Sequence, residues 1–183
     1  ERLFGRVLGE ADGRPTLFAF HATAAHFPGD PVYPFYRKFV PRSEPLDRRL
    51  RMHFAPIGEG AKGAWSRTAS EALYDELLSQ ADAQLGFLLE DLKGRGLYDE
   101  AFIVVFSDHG ESFHGRHPVL EGLTPVHGSE LTDEQNQILL AVKLPRSAAV
   151  KALSVDALAR LIDLGPTVLD HLGLPPLPGA DGE

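Results

Sequence analysis

Residues Phe102 to Phe106 form an unbroken run of apolar β-branched and aromatic side chains, and Ser107, Asp108, His109 and Gly110 follow at once with different chemistry. A run of this length bounded by turn residues suits a strand buried on both faces of a sheet. It points to an α/β fold, in which ligands bind just beyond the carboxyl ends of strands. Asp108 and His109 are expected there, a hard oxygen donor beside a borderline nitrogen donor. That pair suits a divalent ion such as Zn²⁺ or Mn²⁺ and does not exclude Ca²⁺. Gly110 lets the backbone turn sharply or approach a ligand closely. A bare Asp-His-Gly also suits an ordinary surface turn, so the surrounding chain has to decide.

A helix leads into this run. Leu73, Leu77, Leu78, Ala81, Leu85, Leu88, Leu89 and Leu92 recur at three- and four-residue spacing between Ser66 and Lys93, which predicts a long helix with a core-facing stripe. Ser66 or Thr68 is placed to cap it and Gly94 to stop it. Helix, glycine turn and apolar strand together suit a βαβ crossover and a mainly parallel sheet flanked by helices. A second apolar run, Thr16 to Phe20, is expected to be another strand of that sheet. It too delivers histidine, in His21-Ala-Thr-Ala-Ala-His-Phe-Pro28.

Elsewhere the punctuation is heavier. Residues 1–14 read as a short helix or surface segment ending in a turn at Asp12-Gly13-Arg14-Pro15. Residues 28–66 are rich in proline and glycine and read as a long, substrate-facing loop. Arg48, Arg49 and Arg51 within it suit an anion, though a solvated basic stretch explains them as well. The loop after Glu111 carries His114, His117 and His127. Gly165-Pro166 opens a final helix, Pro being suited to a first turn, and an extended tail follows Leu174.

The chain has 183 residues, enough for one domain with a proper core, and a net charge of −8, which argues against a nucleic-acid partner. No apolar run of about 18 residues occurs that would span a membrane. The opening Glu1-Arg-Leu-Phe-Gly-Arg lacks a signal-peptide pattern and reads as mid-chain.

Leu92 to Glu111 resembles the stretch of sulfatases and related alkaline-phosphatase-superfamily enzymes that ends in a metal-binding Asp-His or Asp-Asn. His21 to Pro28, with Tyr33, Tyr36 and Arg37-Lys-Phe-Val-Pro41 behind it, is similar to a segment of bacterial phosphoethanolamine transferases. Phe27 stands there in place of that segment's glycine. His127-Gly128, the acidic stretch Glu130 to Asn136 and the apolar run Ile138 to Pro145 resemble the sequel of these families. No lysine stands shortly before the His-Gly, a departure from sulfatases proper.

The resemblance implies that Asp108 and His109 bind a divalent metal (Zn, Mn or Ca). It implies that His26 and His127 act catalytically on the transferred group, and that His21, His26 and His127 bind substrate. It also implies that residues 1–183 are the C-terminal portion of one alkaline-phosphatase-like catalytic domain. Such domains begin with an acidic ligand and a Cys, Ser or Thr nucleophile, and this chain has neither cysteine nor a convincing nucleophilic threonine.

The first expectation is therefore a metal-dependent sulfatase-like hydrolase of sulfate or phosphate esters, inactive without its N-terminal part. A phosphoethanolamine or phosphoglycerol transferase of the bacterial envelope is the alternative, and a non-catalytic binding domain keeping the fold is another. The expected partners are a small-molecule or a lipid or glycan ester and the missing N-terminal part of the same domain. The expected location is periplasmic or otherwise extracytoplasmic, with an inner-membrane anchor in segments outside these residues.

Overall fold

The computed structural model describes residues 16–26, 29–43, 67–112, 127–128 and 131–182, with the backbone alone at 67–70. The expected N-terminal segment, the basic cluster Arg48, Arg49 and Arg51, the cap Ser66, and His114 and His117 lie outside the described residues. The chain divides into two units, Glu1–Pro145 and Arg146–Glu183.

The first unit is organised by helix α1, Arg67–Gly94. Its C-terminus closes in a Schellman turn. Gly96 takes φ +68, its N–H donates to the Lys93 carbonyl at 3.0 Å, and the Leu97 N–H donates to the Leu92 carbonyl at 2.9 Å. The helix ends at Gly94 as expected, but the left-handed cap is the glycine two residues on.

The buried face of α1 is narrower than the leucine pattern suggests, and half of it is polar. Leu73 and Leu77 form a buried cluster with Val40, with Ala72 and Tyr74 packed against it. Glu76 and Gln80 share that face, since spacings of three, four and seven residues return to one side of a helix. Leu78, one residue on and about 100° around, is exposed, and Leu85, Leu88, Leu89 and Leu92 are half-buried.

What α1 holds with this face is the segment 29–40. Glu76 has no exposed surface. Its Oε1 accepts the N–H groups of Phe39 and Val40, each at 2.8 Å, and its Oε2 accepts that of Arg37 at 3.0 Å. Gln80 Oε1 accepts the Val32 N–H at 2.7 Å. Loop backbone that would otherwise need water is thus satisfied by two helix side chains one turn apart. Gly29 lies so close that an added Cβ would stand 3.0 Å from Leu77 Cδ2 and 2.9 Å from the His26 carbonyl.

After α1 the chain turns at 98–100 into strand β1, Ile103–Phe106. β1 pairs antiparallel with β2, Leu140–Lys143, in the register Ile103 to Lys143 and Phe106 to Leu140. Ser107 extends the ladder, its N–H donating to the Leu139 carbonyl and its Oγ accepting the Leu139 N–H, both at 3.1 Å. Lys143 fixes the entry to β1. Its ammonium donates to the carbonyls of Tyr98, Asp99 (2.8 Å) and Ala101 (2.9 Å), which uses all three of its protons. The same ammonium lies 4.7 Å from the centroid of the Tyr98 ring. A short helix α2, Asp133–Asn136, precedes β2.

Two expectations are corrected here. Residues 16–20 form no strand, because a ladder needs a neighbour and the described sheet has two members only, β1 and β2. β1 is half-buried and not enclosed on both faces, with Phe106 52% exposed. A single antiparallel pair neither makes nor excludes the larger, mainly parallel sheet.

The second unit has a 3₁₀ turn at Leu161–Asp163 running into helix α3, Leu164–His171. Asp163 anchors this start, accepting from the Arg160 backbone and from its guanidinium, each at 2.9 Å. Pro166 sits in the first turn of α3 as its fixed φ favours, and Gly173, at φ +64, ends the helix in a second Schellman turn. Among the described residues, no helix is long and apolar enough to cross a membrane.

Candidate functional site

Asp108 and His109 lie immediately past the end of β1. The Asp108 side chain is 76% exposed. Its Oδ1 accepts the His109 N–H at 3.0 Å, while Oδ2 stands 3.8 Å from His109 Nε2. His109 Nδ1 is 2.8 Å from the Gly110 carbonyl oxygen. A carbonyl only accepts, so Nδ1 carries the proton and Nε2 presents its lone pair. This is the arrangement usual for a metal-binding imidazole.

Gly110 is required by close approach. Its N–H donates to the Gln135 carbonyl at 2.8 Å, and an added Cβ would overlap the Glu134 carbonyl. The turn after β1 is therefore laid directly on α2. Gln135, 4% exposed, also reaches the other histidine-bearing loop, its Oε1 accepting the Gly128 N–H at 3.0 Å. One residue of α2 thus holds the neighbours of both His109 and His127.

Three imidazoles meet at this point. The rings of His109 and His127 stack with centroids 4.2 Å apart and planes 21° from parallel. His26 meets His127 edge-on, at 5.4 Å and 82°. Behind them Glu111, its side chain 5% exposed, holds His127 Nδ1 through Oε2 at 2.9 Å. Its Oε1 is buried without a hydrogen-bond partner among the described residues. The charge reaches α1: the Tyr74 hydroxyl is pushed above its ordinary pKa of 10.0 by burial first, then by Glu111 and Asp75.

Of the residues singled out from sequence, His26, Asp108, His109 and His127 are thus brought into one neighbourhood. His21 is exposed and makes no ring contact or ion pair with them. Among the described residues, no three His, Asp or Glu side chains are set as a metal-binding group.

A comparison with protein families finds a match to the Sulfatase family over residues 2–174. The chain belongs to the sulfatase family. Membership carries an α/β, alkaline-phosphatase-like fold and places the chain among sulfatase-like hydrolases and transferases. This sulfatase-family chain is 31% identical over 148 residues to lipoteichoic acid synthase 2 of Bacillus subtilis (strain 168), covering 77% of this chain and 21% of that protein. The chain thus spans about a fifth of the length of that relative. No solved structure matches.

Enzymes of this family generally use divalent metal ions, and the Asp108–His109 pair fits one. It joins a carboxylate oxygen to a lone-pair nitrogen at 3.8 Å, where two donors of one tetrahedral zinc stand about 3.4 Å apart. Two donors are part of a ligand set.

Sequence reasoning missed Glu111 and Gln135. Glu111 had a signal, being an acidic residue two positions beyond a candidate ligand. Gln135 had none, because its role rests on a backbone carbonyl and a burial that only the fold creates.

Proposed function

We propose that this chain contributes the anion-handling half of a site that moves a phosphoryl or sulfuryl group between oxygens, and that it serves a transferase of the bacterial envelope. The observation that carries this is the meeting of His26, His109 and His127 at the end of β1. The transferase is placed ahead of the hydrolase because the relative is named as a synthase of lipoteichoic acid, a name that speaks of building and not of hydrolysis.

In this reading Asp108 and His109 hold a divalent ion, which when bound polarises the anion's oxygens. His26 and His127 contact the transferred group. A neutral imidazole accepts the proton of an incoming hydroxyl, and an imidazolium donates to a leaving oxygen or steadies an oxyanion. The nucleophile comes from outside residues 1–183, and the acceptor is a lipid or glycan hydroxyl at the outer face of a membrane.

The test uses the full-length protein with a divalent ion and a phosphate or sulfate diester. His127→Ala and His26→Ala should each lower turnover by about 10²–10⁴-fold, and an added lipid or glycan alcohol should capture the group in place of water. Release to water unchanged by any alcohol would restore the hydrolase. Anion binding with no turnover would make the chain part of a binding domain.

A further inference from the structure

Glu111 is a charged side chain buried at the imidazole cluster, its side chain 5% exposed. An ionised carboxylate has no proton to give, so its 2.9 Å contact with His127 is made with the ring's Nδ1–H donating. The proton is thereby fixed on Nδ1, and Nε2 is left bare to accept a proton. Glu111 comes two residues after His109, so one short segment carries both the ring that stacks on His127 and the carboxylate that grips it. The Gly128 N–H, held by Gln135 Oε1 at 3.0 Å, secures the backbone just beyond His127. Without Glu111 that backbone would stay in place, while the ring would be free to turn and to carry its proton on either nitrogen.

We propose that Glu111 is a positioning residue for His127, fixing the Nδ1–H tautomer and holding the ring flat on His109. The proposal rests on the reading that His127 meets the transferred group. Remaining in place is what such a ring needs, since misplacement of a reacting group is costly in rate. Outer partners of this kind are typically worth about 10–100-fold.

The test is made in the full-length protein labelled with ¹⁵N at histidine, at about pH 9, above the ordinary imidazole range. With His127 assigned through the His127→Gln variant, its Nδ1 should be protonated and its Nε2 not. Glu111→Leu should let the Nε2–H form appear and lower kcat about 10–100-fold, with KM within about twofold, as expected when a transition-state contact is lost. Glu111→Gln, whose amide oxygen still accepts from Nδ1–H, should keep the tautomer and recover most of kcat. A bare Nδ1 in the wild-type protein would overturn the proposal without any variant, so an unfolded Glu111→Leu protein leaves it testable. A Leu variant with wild-type tautomer and turnover, or a Gln variant no better than Leu, would overturn it too. If His127→Ala retains full turnover, the functional reading of His127 fails instead, and the tautomer result stands apart from that failure.

Discussion

Replacing Glu76 with alanine removes a carboxylate of zero exposure that accepts three backbone N–H groups from the segment 37–40. A hydrogen bond to a charged group contributes about 1.5–3 kcal/mol, so three set a ceiling of roughly 4.5–9 kcal/mol. Two effects lower it. The buried charge itself carries a desolvation penalty that the alanine variant escapes, and the freed N–H groups lie on a loop that can open to water. A net loss of about 3–5 kcal/mol is expected, the cost of three backbone N–H groups losing a charged acceptor less the desolvation the alanine variant escapes. At about 2–4 °C per kcal/mol for a chain of this size, Tm should fall by roughly 6–20 °C. Glu76→Gln should cost about half as much. Its carbonyl oxygen can keep the Phe39 and Val40 bonds, while its NH₂ faces the Arg37 N–H. Thermal and urea denaturation measure both. A loss under about 1 kcal/mol in the alanine variant, or a glutamine variant as damaged as alanine, would refute the account of Glu76 as the anchor of this loop.

Lys143→Met should cost about 2–4 kcal/mol in urea denaturation, since three carbonyls at 98–101 lose a charged donor. Lys143→Arg should rescue little, because a planar fork does not replace a point charge among three converging oxygens. Tyr74 has a raised pKa in the folded protein, so unfolding lets it ionise more readily. Its contribution is fully present below its unfolded value and is lost as pH rises through the folded one. Tyr74→Phe should therefore flatten the alkaline fall in stability above about pH 10, as read by denaturation at a series of pH values. Gly110→Ala should destabilise by about 3 kcal/mol or more, given an overlap with the Glu134 carbonyl, and should cut turnover by displacing His109 from His127.

Local rules carried the sequence reading where local physics decides. Helix α1 was legible because three- and four-residue spacing, good helix formers and a glycine stop all act within one segment. β1 was legible because β-branched residues crowd into one short run. The rest depended on partners distant in sequence. Thr16 to Phe20 is also a largely apolar run of strand length, yet only pairing makes a strand, and composition does not reveal whether a neighbour is present. The leucine spacing predicts a core-facing stripe, whereas Glu76 and Gln80 share its buried face because the loop they hold presents backbone N–H groups to it. The histidines were legible as chemistry, His26 and His127 through the family resemblance of the segments that carry them and His109 through its place just after an apolar run. Glu111 and Gln135 act through what they touch.

The site is held by backbone contacts more than by its own side chains, and this explains which substitutions should spread their effects. α1 pins the segment behind His26 through Gln80, Glu76 and the tight fit of Gly29 on Leu77. α2 pins the other two loops through Gln135, by its carbonyl at Gly110 and its side-chain oxygen at Gly128. The imidazoles themselves touch through ring faces and edges, which are worth only about 0.5–1.5 kcal/mol per aromatic pair and would not hold three loops together. Their 4.2 and 5.4 Å spacings are therefore set by glycines, N–H groups, two helices and the hold of Glu111 on the His127 ring. Exchanging one imidazole should leave the other two in place, whereas Gly110 or Glu76 variants should move a ring without altering its chemistry. Activity lost in a histidine variant with an unchanged Tm, set against activity and Tm lost together in Gly110→Ala, is the pattern this architecture demands. The reverse pattern would mean that the rings hold the loops.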